Sequence, residues 1–198
     1  MQNNNNFISD DNFISDDNLI SDDNKLMSLE IDIDNLPEQH IKTLLGSNKY
    51  EHLGINFTNN EKCSFISKSL KKNKTLKSLR IDKSRTELCP ESMSVACKMW
   101  KSIGKFCSNS TTLKSLILDR NTLRKKEISK LISGFSNKMI PGSNNNFALT
   151  NLTLNHTRLY PKSIKLLAKF LENNTTLKSL NLPHNCISMR HVTVSIKN

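Results

Sequence analysis

The sequence predicts an α/β solenoid of about six coils. Each coil adds one strand to a parallel sheet and one helix to the opposite layer. Three observations point there. The pentapeptide Thr-Leu-Lys-Ser-Leu occurs at Thr75–Leu79, Thr112–Leu116 and Thr176–Leu180. Each copy opens a segment of the form L-x-x-L-x-[LI], and looser versions extend the series to six units starting at residues 26, 50, 76, 113, 149 and 177. Apolar residues at helical spacing fill the stretches between these segments. Such periodicity marks a repeat architecture, in which one unit cannot bury its apolar side alone and stacked units share a core.

The elements follow in chain order. Leu29 and Ile31 mark a first strand, and Ile41, Leu44 and Leu45 a short helix. Leu53 and Ile55 begin the second coil, whose helix carries Cys63, Ile66 and Leu70. Leu79 and Ile81 begin the third. Its unit, 76–113, is nine residues longer than the cleanest one, 149–177, and the excess is placed in a longer helix within Pro90–Cys107. Leu116 and Leu118 form the fourth strand, followed by Ile128, Leu131, Ile132 and Phe135 at i, i+3, i+4, i+7 and then a polar loop, Pro141–Asn146. Leu152 and Leu154 form the fifth. Its helix, Ser163–Leu171, follows Pro161, a residue suited to a helix start because its missing N–H is not needed there. Leu180 and Leu182 open the sixth. Beyond Ile187 a further helix would fit the period, but Val192, Val194 and Ile196 alternate as a strand would. Residues 191–198 therefore read as an atypical or truncated end, or as an edge for self-association.

The residue five after the second apolar position is Asp34, Thr58, Ser84, Asn121, Thr157 or Asn185. All six can hydrogen-bond, as a residue turning the chain between coils must. This pattern resembles the leucine-rich repeats, in particular the ribonuclease-inhibitor-like class that includes the Ran GTPase-activating proteins and the repeat domains of NOD-like receptors. The resemblance covers roughly residues 25–190. It implies a curved horseshoe with strands on the concave face and helices on the convex face. It also implies a protein-binding role, with stimulation of a partner GTPase as an alternative.

Charge divides the chain unevenly. Residues 1–40 carry ten acidic side chains and one lysine, a net −9, whereas residues 41–198 carry 28 basic and eight acidic side chains, a net +20. Residues 1–24 form an acidic leader containing FISDDN, FISDDN and LISDDN in tandem. Its low complexity predicts disorder, and the alternative is an acidic–apolar arm that docks on the basic domain. No run of about 18 apolar residues and no signal peptide is recognisable, so a cytoplasmic protein without a membrane span is expected. Five cysteines without C-x-x-C spacing read as reduced residues, with Cys63, Cys97 and Cys107 in helices. Asn-x-Thr sequons such as that at Asn109 are the chance yield of an Asn-rich chain.

The candidate binding residues are those between the strand leucines: Arg80, Asp82, Lys83, Asp119, Arg120, Asn155, His156, Asn181 and His184. Asp32, Asn56, Asp82, Asp119 and Asn155 recur at one repeat position, and Lys83, Arg120, His156 and His184 at the next. Two readings fit these columns. Opposite charges on adjacent strands satisfy each other, or they form a mixed-charge groove for a protein partner. The excess lysines fall on helices and loops, at Lys68–Lys74, Arg124–Lys130, Lys162, Lys165 and Lys169. Without aromatic residues interleaved, they do not predict a nucleic-acid site; non-specific nucleic-acid binding is the third reading. No phosphate loop, metal-ligand spacing or nucleophile–base set occurs, so no catalytic residue, metal or cofactor is assigned and the protein is expected not to be an enzyme.

Overall fold

The computed structural model describes residues 28–58, 62–83, 93–135 and 148–186. The acidic leader, Ser84, Pro90, the loop at 141–146 and the end at 191–198 lie outside the described residues. Among the described residues, six strands and five helices alternate: β1 (Ser28–Asp32), α1 (Glu38–Gly46), β2 (His52–Phe57), α2 (Cys63–Leu70), β3 (Ser78–Lys83), α3 (Met93–Asn109), β4 (Ser115–Asp119), α4 (Lys125–Phe135), β5 (Asn151–Asn155), α5 (Pro161–Leu171) and β6 (Ser179–Asn181). The strands form one sheet in sequence order, every neighbouring pair parallel. The expected solenoid is the observed fold. The long third helix ends at Asn109, two residues beyond the segment assigned from unit length.

The register places equivalent repeat positions side by side. Leu53, Leu79, Leu116, Leu152 and Leu180 align across the sheet, as do Ile55, Ile81, Leu118 and Leu154. Their side chains meet Ile41, Leu45, Ile66, Leu70, Ile103, Leu131 and Leu167 from the helices in one core. The outer strands are less covered: Leu29, Ile31 and Leu180 are only half-buried, and among the described residues each outer coil has a single neighbour. Adjacent helices pack in the same order, most closely α3 on α4. There Gly104 and Gly134 face each other, and a Cβ added to Gly104 would stand 2.3 Å from the Leu131 carbonyl oxygen. Phe135 then packs on Phe170 of α5 with ring centroids 5.4 Å apart.

The repeated pentapeptide acquires a physical role in this arrangement. Two residues before each Thr stands a capping side chain. Asn73 Oδ1 accepts from the N–H groups of Thr75 and Leu76, Ser110 Oγ from Thr112 and Leu113, and Asn174 Oδ1 from Thr176 and Leu177. The Thr75 and Thr112 hydroxyls donate to carbonyls of the preceding coil, Tyr50 and Leu76. The lysine backbone N–H groups continue the stack: Lys77 donates to Glu51, Lys114 to Lys77 and Lys178 to Thr150. Thus Asn/Ser-x-Thr-Leu-Lys-Ser-Leu closes one coil and hydrogen-bonds the next.

The polar turn residues form a second seam. Asp34 accepts the Thr58 N–H and hydroxyl. Asn121 donates to the carbonyls of Ile81 and Asp119. Asn185 donates to Leu154 and Pro183 while its oxygen accepts from the N–H groups of Thr157 and Leu159. Buried backbone groups between coils are thereby paired, and an unpaired one would cost about 1–3 kcal/mol.

Candidate functional site

Strand side chains alternate between the core and the open face of the sheet. On the open face, Glu30, Gly54, Arg80, Ile117, Thr153 and Asn181 lie in one register row, and Asp32, Asn56, Asp82, Asp119 and Asn155 in the next. The column of recurring repeat positions is therefore a physical row. Arg120, His156 and His184 stand just past the strands, each with a positive φ of 54°, 49° and 54°. This left-handed conformation is unusual for a residue with a Cβ. In all three it directly precedes the polar turn residue of its coil.

The charged members of these rows bind one another. Arg120 grips Asp82 in a bidentate manner, with Nε at 2.8 Å from Oδ1 and Nη2 on Oδ2. Arg80 Nη2 donates to Asp82 Oδ2 at 2.9 Å and to Asp119 Oδ2 at 3.0 Å, and its Nη1 reaches Glu30 Oε1 at 3.0 Å. Asn155 Nδ2 extends the chain to Asp119 Oδ1 at 2.9 Å, and Asn56 Nδ2 extends it to Glu30 at 3.2 Å. The network thus spans β1 to β5. The hydrogen bonds that Arg120 donates to Asp82, reinforced by the carboxylate's charge, raise the Arg120 guanidinium above its already high ordinary value. The guanidinium therefore stays charged throughout the pH range in which proteins are studied.

Asp82 departs from the exposed position that the repeat pattern leads one to expect. Only 1% of its side chain is accessible, because Arg80 and Arg120 lie over it. A buried carboxylate requires such pairing. Gly54 and Glu30 stand outside the nine candidates, yet they decide how far the network reaches. Their signal in the sequence is a glycine in mid-strand, which often marks a close approach. Lys83 is half-buried at the end of β3.

The other end of the face carries histidine, threonine and asparagine in place of the arginine–aspartate network. His156 and His184 are exposed and stack with ring centroids 4.3 Å apart and an interplanar angle of 7°. Asn181 is exposed beside the half-buried Thr153. Eight of the nine candidate residues consequently share one face, with Arg80, Asp82, Asp119 and Arg120 at one end and His156, Asn181 and His184 at the other, whereas Lys83 pairs in register with the core residue Phe57 and falls on the opposite side of β3. Among the described residues, Tyr160 is the exposed large apolar side chain, at 47% accessibility, so neither layer presents a broad apolar patch. No group of three or more His, Cys, Asp or Glu residues could hold a metal ion among the described residues, and no described helix is long and apolar enough to cross a membrane. Cys107 is buried and unpaired, whereas Cys186 is an exposed free thiol. The edge expected to self-associate belongs to the end outside the described residues.

No family model matches the chain, and no curated protein matches it by sequence. Among solved structures it is similar to leiomodin-1 actin-binding site 2, with a TM-score of 0.51 and 20% identity over 74% of this chain and 76% of that one. The likeness concerns the fold. Together with the six-stranded parallel register, it identifies the architecture as a leucine-rich-repeat-like solenoid.

Proposed function

We propose that this solenoid is a protein-interaction module of the ribonuclease-inhibitor-like class that binds a partner protein through the open face of its sheet, as a scaffold or regulator and without catalysis of its own. One observation carries the reading. The polar residues that vary from coil to coil are held on a hydrogen-bonded sheet, with their charged members already fixed by one another. A partner meeting such a face orders few side chains on binding, which lowers the entropic cost of association. Exposed arginine, histidine and asparagine groups offer it hydrogen bonds in fixed directions.

A helix after each of β1 to β5 supports the ribonuclease-inhibitor-like assignment. The similar leiomodin-1 structure is an actin-binding site, and the same class of ligand, a folded protein, suits this face. A cytoplasmic location accords with the exposed Cys186 thiol, since free thiols persist in reducing compartments. The test is affinity capture quantified by mass spectrometry, comparing the native chain with Asn181→Arg/Thr153→Arg on the sheet face and with Lys130→Glu on the helix face. Proteins retained by the native chain and the helix-face variant, but lost with the sheet-face variant, are the partners the proposal requires. Equal capture by all three would contradict it.

A further inference from the structure

The helix layer is electrostatically unlike the sheet face. Lys101 and Lys105 on α3, Lys126 and Lys130 on α4, and Lys165 and Lys169 on α5 form three i, i+4 lysine pairs on adjacent helices. All six side chains are exposed or half-buried. The one carboxylate within α2 to α5 is Glu127, which is buried. Like charges at i, i+4 destabilise a helix. Three such pairs on adjacent helices, with the exposed Glu172 at the C-terminal cap of α5 as the nearby acid, carry a standing repulsion that an anionic chain would relieve.

The sequence itself contains an anionic chain long enough to cross these helices. The leader places aspartate pairs at Asp10-Asp11, Asp16-Asp17 and Asp22-Asp23, one per six-residue repeat. Six extended residues span about 20 Å. Packed helices lie about 8–10 Å apart, so the distance from α3 to α5 is about 16–20 Å. One repeat therefore carries the chain from the α3 pair to the α5 pair. Reach is sufficient: Asp16 lies twelve residues before Ser28, the start of β1, or about 40 Å of extended chain. Phe7, Phe13 and the isoleucines between the acidic pairs can cover lysine methylenes, which are apolar up to the ammonium group.

We propose that the acidic leader, residues 1–24, binds in cis across the lysine pairs of α3, α4 and α5. It thereby occupies the face that would otherwise attract nucleic acid or another polyanion. The sheet face stays open, so this inference stands independently of the partner-binding proposal.

Zero-length carbodiimide coupling of the full chain tests it, because an amide forms only where a carboxylate and a lysine are in contact. A mixed sample of unlabelled and nitrogen-15-labelled protein separates coupling within one chain from coupling between chains. Within-chain links from Asp10–Asp23 to Lys101, Lys126, Lys130, Lys165 or Lys169 are expected. They should fall about fivefold at about 1 M salt, where the screening length is about 3 Å. They should also fall in full-length K101Q/K130Q/K165Q. Links confined to lysines outside α3–α5, links only between chains, absence of links, or links indifferent to salt would each overturn the proposal.

Discussion

Arg80 on β3 binds Glu30 on β1, Nη1 to Oε1 at 3.0 Å, by reaching across the intervening strand at Gly54. The contact exists because β2 presents no side chain at that register position. A Cβ at Gly54 would stand 3.1 Å from Glu30 Cγ. Replacing Gly54 by Ala should push the Glu30 side chain aside by a few tenths of an ångström and weaken the pair. Both partners are substantially exposed, so a double-mutant cycle on Glu30 and Arg80 should give a coupling of about 0.5 kcal/mol in the native background. In the Gly54→Ala background it should be smaller. Overall stability should change little, because alanine is the better strand residue.

Asp82 and Arg120 should couple more strongly. Asp82→Asn removes the charge from beneath two guanidinium groups while keeping its shape, and about 2 kcal/mol of stability should be lost. The loss lies below that for a fully buried pair because both arginines keep access to water. Urea unfolding of D82N, R120M and the double variant measures it. Additive losses would show that the two residues stabilise the sheet separately.

Gly104 and Gly134 set the distance between α3 and α4. Gly104→Ala forces a methyl group into the Leu131 carbonyl and should cost about 2–3 kcal/mol, a shift in Tm of several degrees. Gly46 makes the contrast. A Cβ there meets only the Ser69 carbonyl oxygen at 3.6 Å, so Gly46→Ala at the end of α1 should be neutral or stabilise by up to about 1 kcal/mol.

Burial pushes the Cys107 thiol above its ordinary value. In the unfolded chain the thiol ionises near pH 8.5, while in the folded chain it keeps its proton. Above that pH the folded state binds more protons, so stability should fall as pH rises, by at most about 1.4 kcal/mol per pH unit for this one group. Cys107→Ala should lack this component when urea unfolding is followed from pH 8 to 10. Equal slopes in the two proteins would contradict the assignment.

What can be read from sequence follows the range of each interaction. The core positions are legible because a leucine at every third or second position has one meaning once six copies align. The acidic row is legible for the same reason, and the register places Asp32, Asn56, Asp82, Asp119 and Asn155 side by side. The burial of Asp82 is not. It depends on two arginines from different coils folding over one carboxylate, and rotamers are not encoded in spacing. The Gly104–Gly134 contact is equally hidden, since it pairs two helices whose register is fixed only by packing. Asn73, Ser110 and Asn174 are visible two residues before each repeated Thr. Their role emerges only when the turn they cap is seen.

The open sheet face, rather than the lysine-rich helix layer, is where a partner protein should bind. Quantitative capture by the native chain, by Asn181→Arg/Thr153→Arg and by Lys130→Glu tests this most directly, with circular dichroism establishing that all three are folded. A set of proteins should be lost at least about tenfold with the sheet-face variant, the loss that about 1.4 kcal/mol of binding energy would give. The same set should be retained with Lys130→Glu. Retention by the sheet-face variant with loss on Lys130→Glu would contradict the proposal and move the binding site to the helices.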